Sequence, residues 1–245
     1  MQPSTLQKIS AGEELLTAVR LYASGLGQLE SLDDGASDFF HLPLLALQQG
    51  LERWVKISLC FHHLDKFAEF PGLNYFPRSK HGHNIQPLLH KLVSEAYTSE
   101  FEAKFNYVKQ DRVFLKSKPF RGYMIALSDF GVSSRYFHLN TVLGEEIDFN
   151  SPEQAWQDVE GKVLEYNQDL QDEFYASEGA QEVLLKVLAA SRGILVRCGR
   201  ALARLLVLGA LGDEAKIYTG YVSKFLQLAD DELITVNFEP FHKNV

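Results

Sequence analysis

Two cysteines in 245 residues, Cys60 and Cys198, are too few for a disulfide framework. Both lie inside strongly apolar helical patterns, as buried free thiols of a reducing compartment would. Positive charge is also scarce: 24 Lys and Arg against 32 Asp and Glu leave a net charge of −8. That balance argues against nonspecific nucleic-acid binding over the whole surface and leaves room only for a local basic patch. No uninterrupted apolar run has the length of a membrane span. The most apolar stretch, Val183 to Leu211, is broken by Arg192, Arg197, Arg200 and Arg204 and reads as a bundle helix. Met1 to Ser10 lacks the apolar segment of a signal peptide, so a cytoplasmic protein without a membrane anchor is expected. No alternating polar and apolar run is long enough to build a sheet, and no repeat of fixed period occurs.

What is present is helical periodicity. The chain is expected to be all-α, one bundle of about six or seven helices spanning residues 1–245, since no stretch has the composition of a domain linker. Ser10 with Glu13 makes a capping-box pattern, opening a helix to about Leu29 whose inward face is Leu15, Leu16, Val19, Tyr22 and Leu26. A second helix has Pro43 in its first turn and runs through Leu47, Leu51, Trp54 and Leu59 to about Lys66. A loop from Glu69 to Gly82, holding Pro71, Gly72 and Pro77, leads to a third helix that starts near His83. A polar stretch follows, then a helix opened by Pro119 that resumes after Gly131. Ser151-Pro152-Glu153-Gln154 is the clearest start signal, for a helix to about Tyr175. Two more helices, Ala180 to Leu211 and Asp213 to Ala229, precede an irregular tail over 230–245.

The chemistry concentrates where the long loop enters the third helix. Arg78 and His83 are separated by four residues there, with Lys80 and His81 between them. A helix N-terminus presents unpaired N–H groups and partial positive charge, which suit a phosphate. An arginine beside it adds a bidentate donor for phosphate oxygens. The same positive end suits an imidazole working as general base, so His83 is placed to take the proton of an RNA 2′-hydroxyl while Arg78 stabilises the phosphorane. No metal or cofactor is required for that chemistry. Lys80 would attract phosphate and His81 would line the site. Glu52 and Lys56, four apart on the second helix, would support it from the side or form only a surface pair.

The residues Gln49-Gly50-Leu51-Glu52-Arg53-Trp54-Val55-Lys56, followed by Lys80-His81-Gly82-His83-Asn84-Ile85 and Leu88-Leu89, resemble the HEPN superfamily over roughly Asp38 to Val93. Active members carry Arg, four to six residues, then His, and Arg78 to His83 has that spacing. The resemblance implies a helical core, here about 38–93 with further helices over 119–229, that often forms a homodimer with two motifs meeting at the interface. It implies a metal-independent ribonuclease acting on RNA, as in toxins and other stress or antiviral defence systems. The alternative is a non-catalytic helical interaction module that binds a partner protein or a nucleotide.

Three other clusters carry competing readings. Cys60 and His63 with His81 and His83 contain the donor types of a tetrahedral zinc site, but the spacing matches no standard structural zinc motif. Arg135-Tyr136-Phe137-His138 follows Asp129-Phe130-Gly131 without the other kinase signatures, and is read as packing, with Arg135 paired to Glu145 or Glu146. Arg197, Arg200 and Arg204 share one helical stripe, which is either a solvated face paired with Glu and Asp nearby or a strip facing RNA or an acidic partner.

Overall fold

In the computed structural model, residues 3–30, 40–77, 80–176, 180–228 and 233 are described. All regular structure among them is helical: twelve α-helices and short 3-10 turns, with no strand. The all-α expectation holds, and the larger helix number comes from breaks that the periodicity does not reveal. Helix α1 (Thr5–Glu30) begins earlier than Ser10. Its capping box is Ser4 with Gln7: the Gln7 amide donates to Ser4 Oγ at 3.2 Å, and the Ser4 amide donates to Gln7 Oε1 at 2.9 Å. Helix α2 (His41–Phe67) stops at Ala68, whose left-handed φ of 58° lets its amide reach the Leu64 carbonyl at 2.8 Å.

Helices α1 and α2 form an antiparallel pair drawn together by glycine. A Cβ at Gly50 would overlap the Tyr22 backbone, and one at Gly25 would press on Leu47. That close approach buries Tyr22 and Trp54, whose rings meet edge to face at 5.9 Å.

The polar stretch after α3 (Ile85–Ala96) is itself helical, as α4 (Ser99–Lys104) and α5 (Asn106–Leu115), divided by an extended Phe105. Helix α6 (Lys118–Val132) has Ser117 as its cap and Pro119 in its first turn, as expected. The chain then makes a 3-10 turn, Ser134–Tyr136, and the short α7 (Phe137–Val142). Ser151 caps α8 (Pro152–Tyr166), which ends at Asn167, short of the expected Tyr175; α9 (Gln168–Ala176) takes up the remainder. Trp156 on α8 packs against Tyr123 of α6, and its indole N–H donates to the buried Glu160 carboxylate at 2.7 Å.

Helix α10 (Ala180–Val207) crosses the α1–α2 pair, accepting a 2.7 Å hydrogen bond from Tyr22 at the Leu195 carbonyl. Left-handed Gly209 and Gly212 end that segment, and the last expected helix splits into α11 (Asp213–Lys216) and α12 (Thr219–Leu226). Phe225 of α12 fits where Gly199 leaves room on α10 and completes an aromatic cluster with Tyr22 and Trp54. At the other end Tyr218 covers Gly12, donates to the Lys8 carbonyl at 2.8 Å, and Lys8 pairs with Glu214 at 2.5 Å. A continuous apolar core runs through these elements, from Ala11 to Leu233.

Candidate functional site

Helix α2 places Gln48, Glu52 and Lys56 on one stripe, since residues four apart lie on the same helical face. Glu52 is 5 % exposed, and its carboxylate gathers donors from both sides. Lys56 Nζ donates to Oε1 at 2.6 Å, and Gln48 Nε2 donates to Oε2 at 2.7 Å. The third donor is His83, whose Nδ1 lies 3.2 and 3.1 Å from the two oxygens.

Two glycines bring His83 there. His83 ends the 3-10 turn Lys80–His83, and a Cβ at the preceding Gly82 would overlap the Pro77 carbonyl oxygen. Only glycine lets the loop close on itself this tightly. On the other side, Gly131 of α6 leaves no room for a methyl against the Gln48 amide. Gln48 therefore sits under both the turn and α6, with its Nε2 3.5 Å from the His83 carbonyl oxygen. Gln49 Nε2 donates to Gln48 Oε1 at 3.0 Å, which fixes the Gln48 amide with its NH₂ toward Glu52.

This arrangement sets the imidazole tautomer. A carboxylate only accepts, so Nδ1 carries a hydrogen, and in the neutral ring that leaves the lone pair on Nε2. Among the described residues nothing bonds Nε2, and the His83 side chain is 41 % exposed. Lys56 Nζ lies 5.7 Å from the Phe76 ring centroid, so that face of the site carries both a cation and an aromatic. The arrangement is a partly exposed imidazole held by a buried carboxylate, with an ammonium on one oxygen of that same carboxylate.

Of the residues expected from sequence, Glu52, Lys56 and His83 are brought together. Glu52 and Lys56 are not a surface pair: their side chains are 7 % and 24 % exposed. Lys80 and His81 contribute backbone to the 3-10 turn, and their side chains fall outside the described residues, as does Arg78 entirely. Gln48 was missed. Its signal was a polar residue one turn before Glu52, inside the otherwise apolar face of α2.

The expectation that the third helix offers its N-terminus to an anion needs correction. Helix α3 starts at Ile85, two residues after His83. Its Gln86 amide donates to Asn84 Oδ1 at 3.1 Å and its Ile85 amide to Ser128 Oγ at 3.2 Å. These two amides are engaged, so the site's chemistry rests on side chains.

The competing clusters resolve differently. His63 Nδ1 pairs with the Glu69 carbonyl at 2.9 Å while His83 pairs with Glu52, and among the described residues no three His, Cys, Asp or Glu side chains converge on a cation position. Burial pushes both thiols up to about 12, which makes them inert. Arg135 stacks on Tyr136 at 4.9 Å rather than pairing with Glu145 or Glu146, and His138 approaches Glu153 at 3.4 Å. Only Phe130 of that aromatic group is core; Tyr136 is exposed. The arginines of α10 find the acidic partners that the first reading expects, Glu30 and Asp111, but Arg192 and Arg200 are buried rather than solvated. Arg192 is buried and pairs with Glu30 at 2.7 Å, and Arg200 is buried and donates to the Leu228 carbonyl at 2.9 Å. Arg204 holds both oxygens of buried Asp111 at 2.9 Å and lies 4.6 Å from the Tyr107 ring, while Arg197 covers Phe114 at 4.5 Å. They tie helices together inside the protein.

No described helix is long and apolar enough to cross a membrane. No protein-family model, curated protein or solved structure matches the chain.

Proposed function

We propose that the Glu52–His83 pair is the acid–base centre of a HEPN-like, metal-independent ribonuclease that acts in stress or antiviral defence as a homodimer. The observation that carries this reading is the His83 imidazole, held through Nδ1 on a buried carboxylate, with its side chain 41 % exposed and no hydrogen-bond partner at Nε2 among the described residues. A base oriented by a third group is the arrangement that proton abstraction from a hydroxyl requires. In the proposed reaction Nε2 takes the proton of an RNA 2′-hydroxyl. The oxygen attacks the adjacent phosphorus, the bond to the 5′-oxygen breaks, and that oxygen takes a proton from water. The product is a 2′,3′-cyclic phosphate. Glu52 balances the charge that forms on the ring, and Lys56 lies beside the carboxylate as the nearest described cation.

Arg78 enters as the proposed clamp on the phosphorane. Pro77, the residue before it, lies against Gly82, the residue before His83, so the chain returns to the site at that point. The test is cleavage of a single-stranded RNA in EDTA by the wild type, His83→Ala, Glu52→Gln and Arg78→Ala. The expected result is loss of about 10²-fold or more for His83→Ala, the usual contribution of a positioned base, with a cyclic phosphate end on the wild-type product. Equal cleavage by wild type and His83→Ala, or none by either, overturns the reading.

A second reading, the non-catalytic interaction module, draws on α7. Leu139, Val142 and Leu143 there are 54, 82 and 67 % exposed, an apolar group of the kind that docks a partner protein. Sedimentation of the purified chain alone and with candidate partners separates the two.

A further inference from the structure

Two surfaces that one copy leaves open complement each other in apolar character and in charge. The first is α7. None of its six residues is buried, and Leu139, Val142 and Leu143 form a ridge at the three- and four-residue spacing of one helical face. A helix this short is marginal in water by itself. Its first residues hold it, Phe137 on Phe149 with ring centroids 6.1 Å apart and His138 against Glu153 of α8. The chain continues through exposed Glu145, Glu146 and Asp148. Among the described residues none of these three carboxylates has an ion pair, and no Lys or Arg occurs between Tyr136 and Gly161 to neutralise them locally.

The second surface is a groove of about 730 Å³ between α5 and α10. Asn106, Lys109, Gln110 and Val113 share one face of α5, and Ile194 and Arg197 of α10 lie opposite. Apolar surface is open there: Val113 is 65 % exposed and Ile194 is half-buried. The charge is of one sign. Lys109 and Arg197 line the groove, exposed Lys116 and half-exposed Ser117 lead to exposed Lys118 at its edge, and no carboxylate lines it. Arg197 lies 4.5 Å from the Phe114 ring, with its Nε buried and without a partner. Asp111 on the same helix is already engaged, both oxygens held by Arg204 at 2.9 Å.

A ridge of three aliphatic side chains is the anchor that a helix-lined groove receives, and the carboxylates after it match the cations on the groove. A small anion would pair the cations and leave Val113 and the ridge in water. The ridge cannot reach the groove of its own chain. The groove opens at Ser117 and Pro119, where α6 begins, whereas α7 follows the end of that fifteen-residue helix, roughly 20 Å away. We infer that α7 of one copy docks in the α5–α10 groove of a second copy, with Leu139, Val142 and Leu143 on Val113 and Ile194, and Glu145 and Glu146 facing Lys109 and Arg197. A pair joined this way still offers one free ridge and one free groove, so assembly runs head to tail. One short helix buries little, which places the contact below about 1,200 Å², among transient pairings. The inference rests on the interaction reading of α7, names its partner, and does not depend on the Glu52–His83 chemistry.

Sedimentation velocity of the full chain up to about 1 mM, the reach of weak contacts, tests it. The mean mass is expected to rise with concentration without levelling at two copies. Val142→Glu on the ridge and Lys109→Glu in the groove, both at exposed positions, should each weaken this association by at least about tenfold, through a buried charge and a like-charge contact. Mixed one to one, the two variants should associate again, but only in pairs, because each retains the half that the other lacks. A homodimer formed through any other face survives both substitutions and is thereby told apart. A mass independent of concentration, undiminished association of either variant, or a mixture no heavier than its components overturns the inference. In the first case, loss of a different protein's binding in Val142→Glu would preserve the interaction reading alone. Should a variant fail to fold, carbodiimide cross-linking of mixed heavy- and light-isotope wild type decides. Links between copies from Glu145 or Glu146 to Lys109, Lys116 or Lys118 support the contact, and their absence refutes it.

Discussion

Replacing Glu52 by alanine removes the acceptor for three groups at once, and the structure gives each loss a different weight. Gln48 Nε2 is fully buried and keeps only a 3.5 Å approach to the His83 carbonyl, so an almost unsatisfied donor is left behind, at about 1–3 kcal/mol. Lys56 is a quarter exposed and can turn its ammonium to water, so its loss costs less than that of a fully buried pair, about 1 kcal/mol. His83 is 41 % exposed, and its bond is screened to a few tenths of a kcal/mol. Together these predict that Glu52→Ala loses about 2–4 kcal/mol, while His83→Ala loses under about 1 kcal/mol. Urea unfolding followed by tryptophan fluorescence reads both, given the two tryptophans in the core. A double-mutant cycle between the positions should return a small coupling, near the lower end of about 0.5–3 kcal/mol for residues in contact. The reasoning is refuted if Glu52→Ala unfolds at the wild-type midpoint, since Gln48 would then be satisfied without the carboxylate. A His83→Ala loss equal to that of Glu52→Ala would equally sink it, by making the imidazole a structural strut.

Two further outcomes follow from features away from the site. Burial beside Trp156 pushes the Glu160 carboxyl up to about 7, against the indole hydrogen bond that favours its charged form. Its folded value lies above the unfolded one, so the native state prefers the proton; stability from this group is greatest at acid pH and declines as pH rises from about 4.5 to about 7. Urea unfolding at pH 5 and pH 8 should differ in that direction by up to about 3 kcal/mol, and Glu160→Gln should remove this component; an unchanged profile in the variant refutes the assignment. Gly50→Ala should cost more than the about 1 kcal/mol that alanine normally gains over glycine in a helix, because its methyl meets the Tyr22 backbone rather than a movable side chain. A thermal midpoint at or above the wild type would show that the two helices separate freely.

How much of this was legible in the sequence depends on how local each determinant is. Ser151 with Pro152, and Pro119, act within one turn of their helices, and those starts are legible in the sequence; the Ser117 cap was not read. Ser10 with Glu13 fits the same rule as Ser4 with Gln7, yet α1 begins at the earlier pair. The added turns carry Lys8, whose side chain pairs with Glu214 and whose carbonyl accepts from Tyr218, contacts that nothing near Ser10 records. The α10 arginines were misplaced for the same reason, since Glu30 and Asp111, which neutralise two of them, come from other helices. At the site, the spacing of Glu52 and Lys56 was visible, as was the presence of His83 at a helix entry. That the carboxylate is buried was not visible, because it depends on the turn closing at Gly82 and on α6 approaching Gln48 at Gly131. The polar alternation 48, 52, 56 within an apolar face was the available sign.

The clasp of Lys8 and Gly12 by Glu214 and Tyr218 has a consequence for biosynthesis. Helix α1 leaves the ribosome just ahead of α2 and can pair with it early, but the groove over Gly12 stays open to water until about two hundred further residues, to Tyr218, have been translated. Nascent chains arrested before α11 should therefore expose that groove to chaperones, and native closure should come only after Glu214 and Tyr218 have left the ribosome.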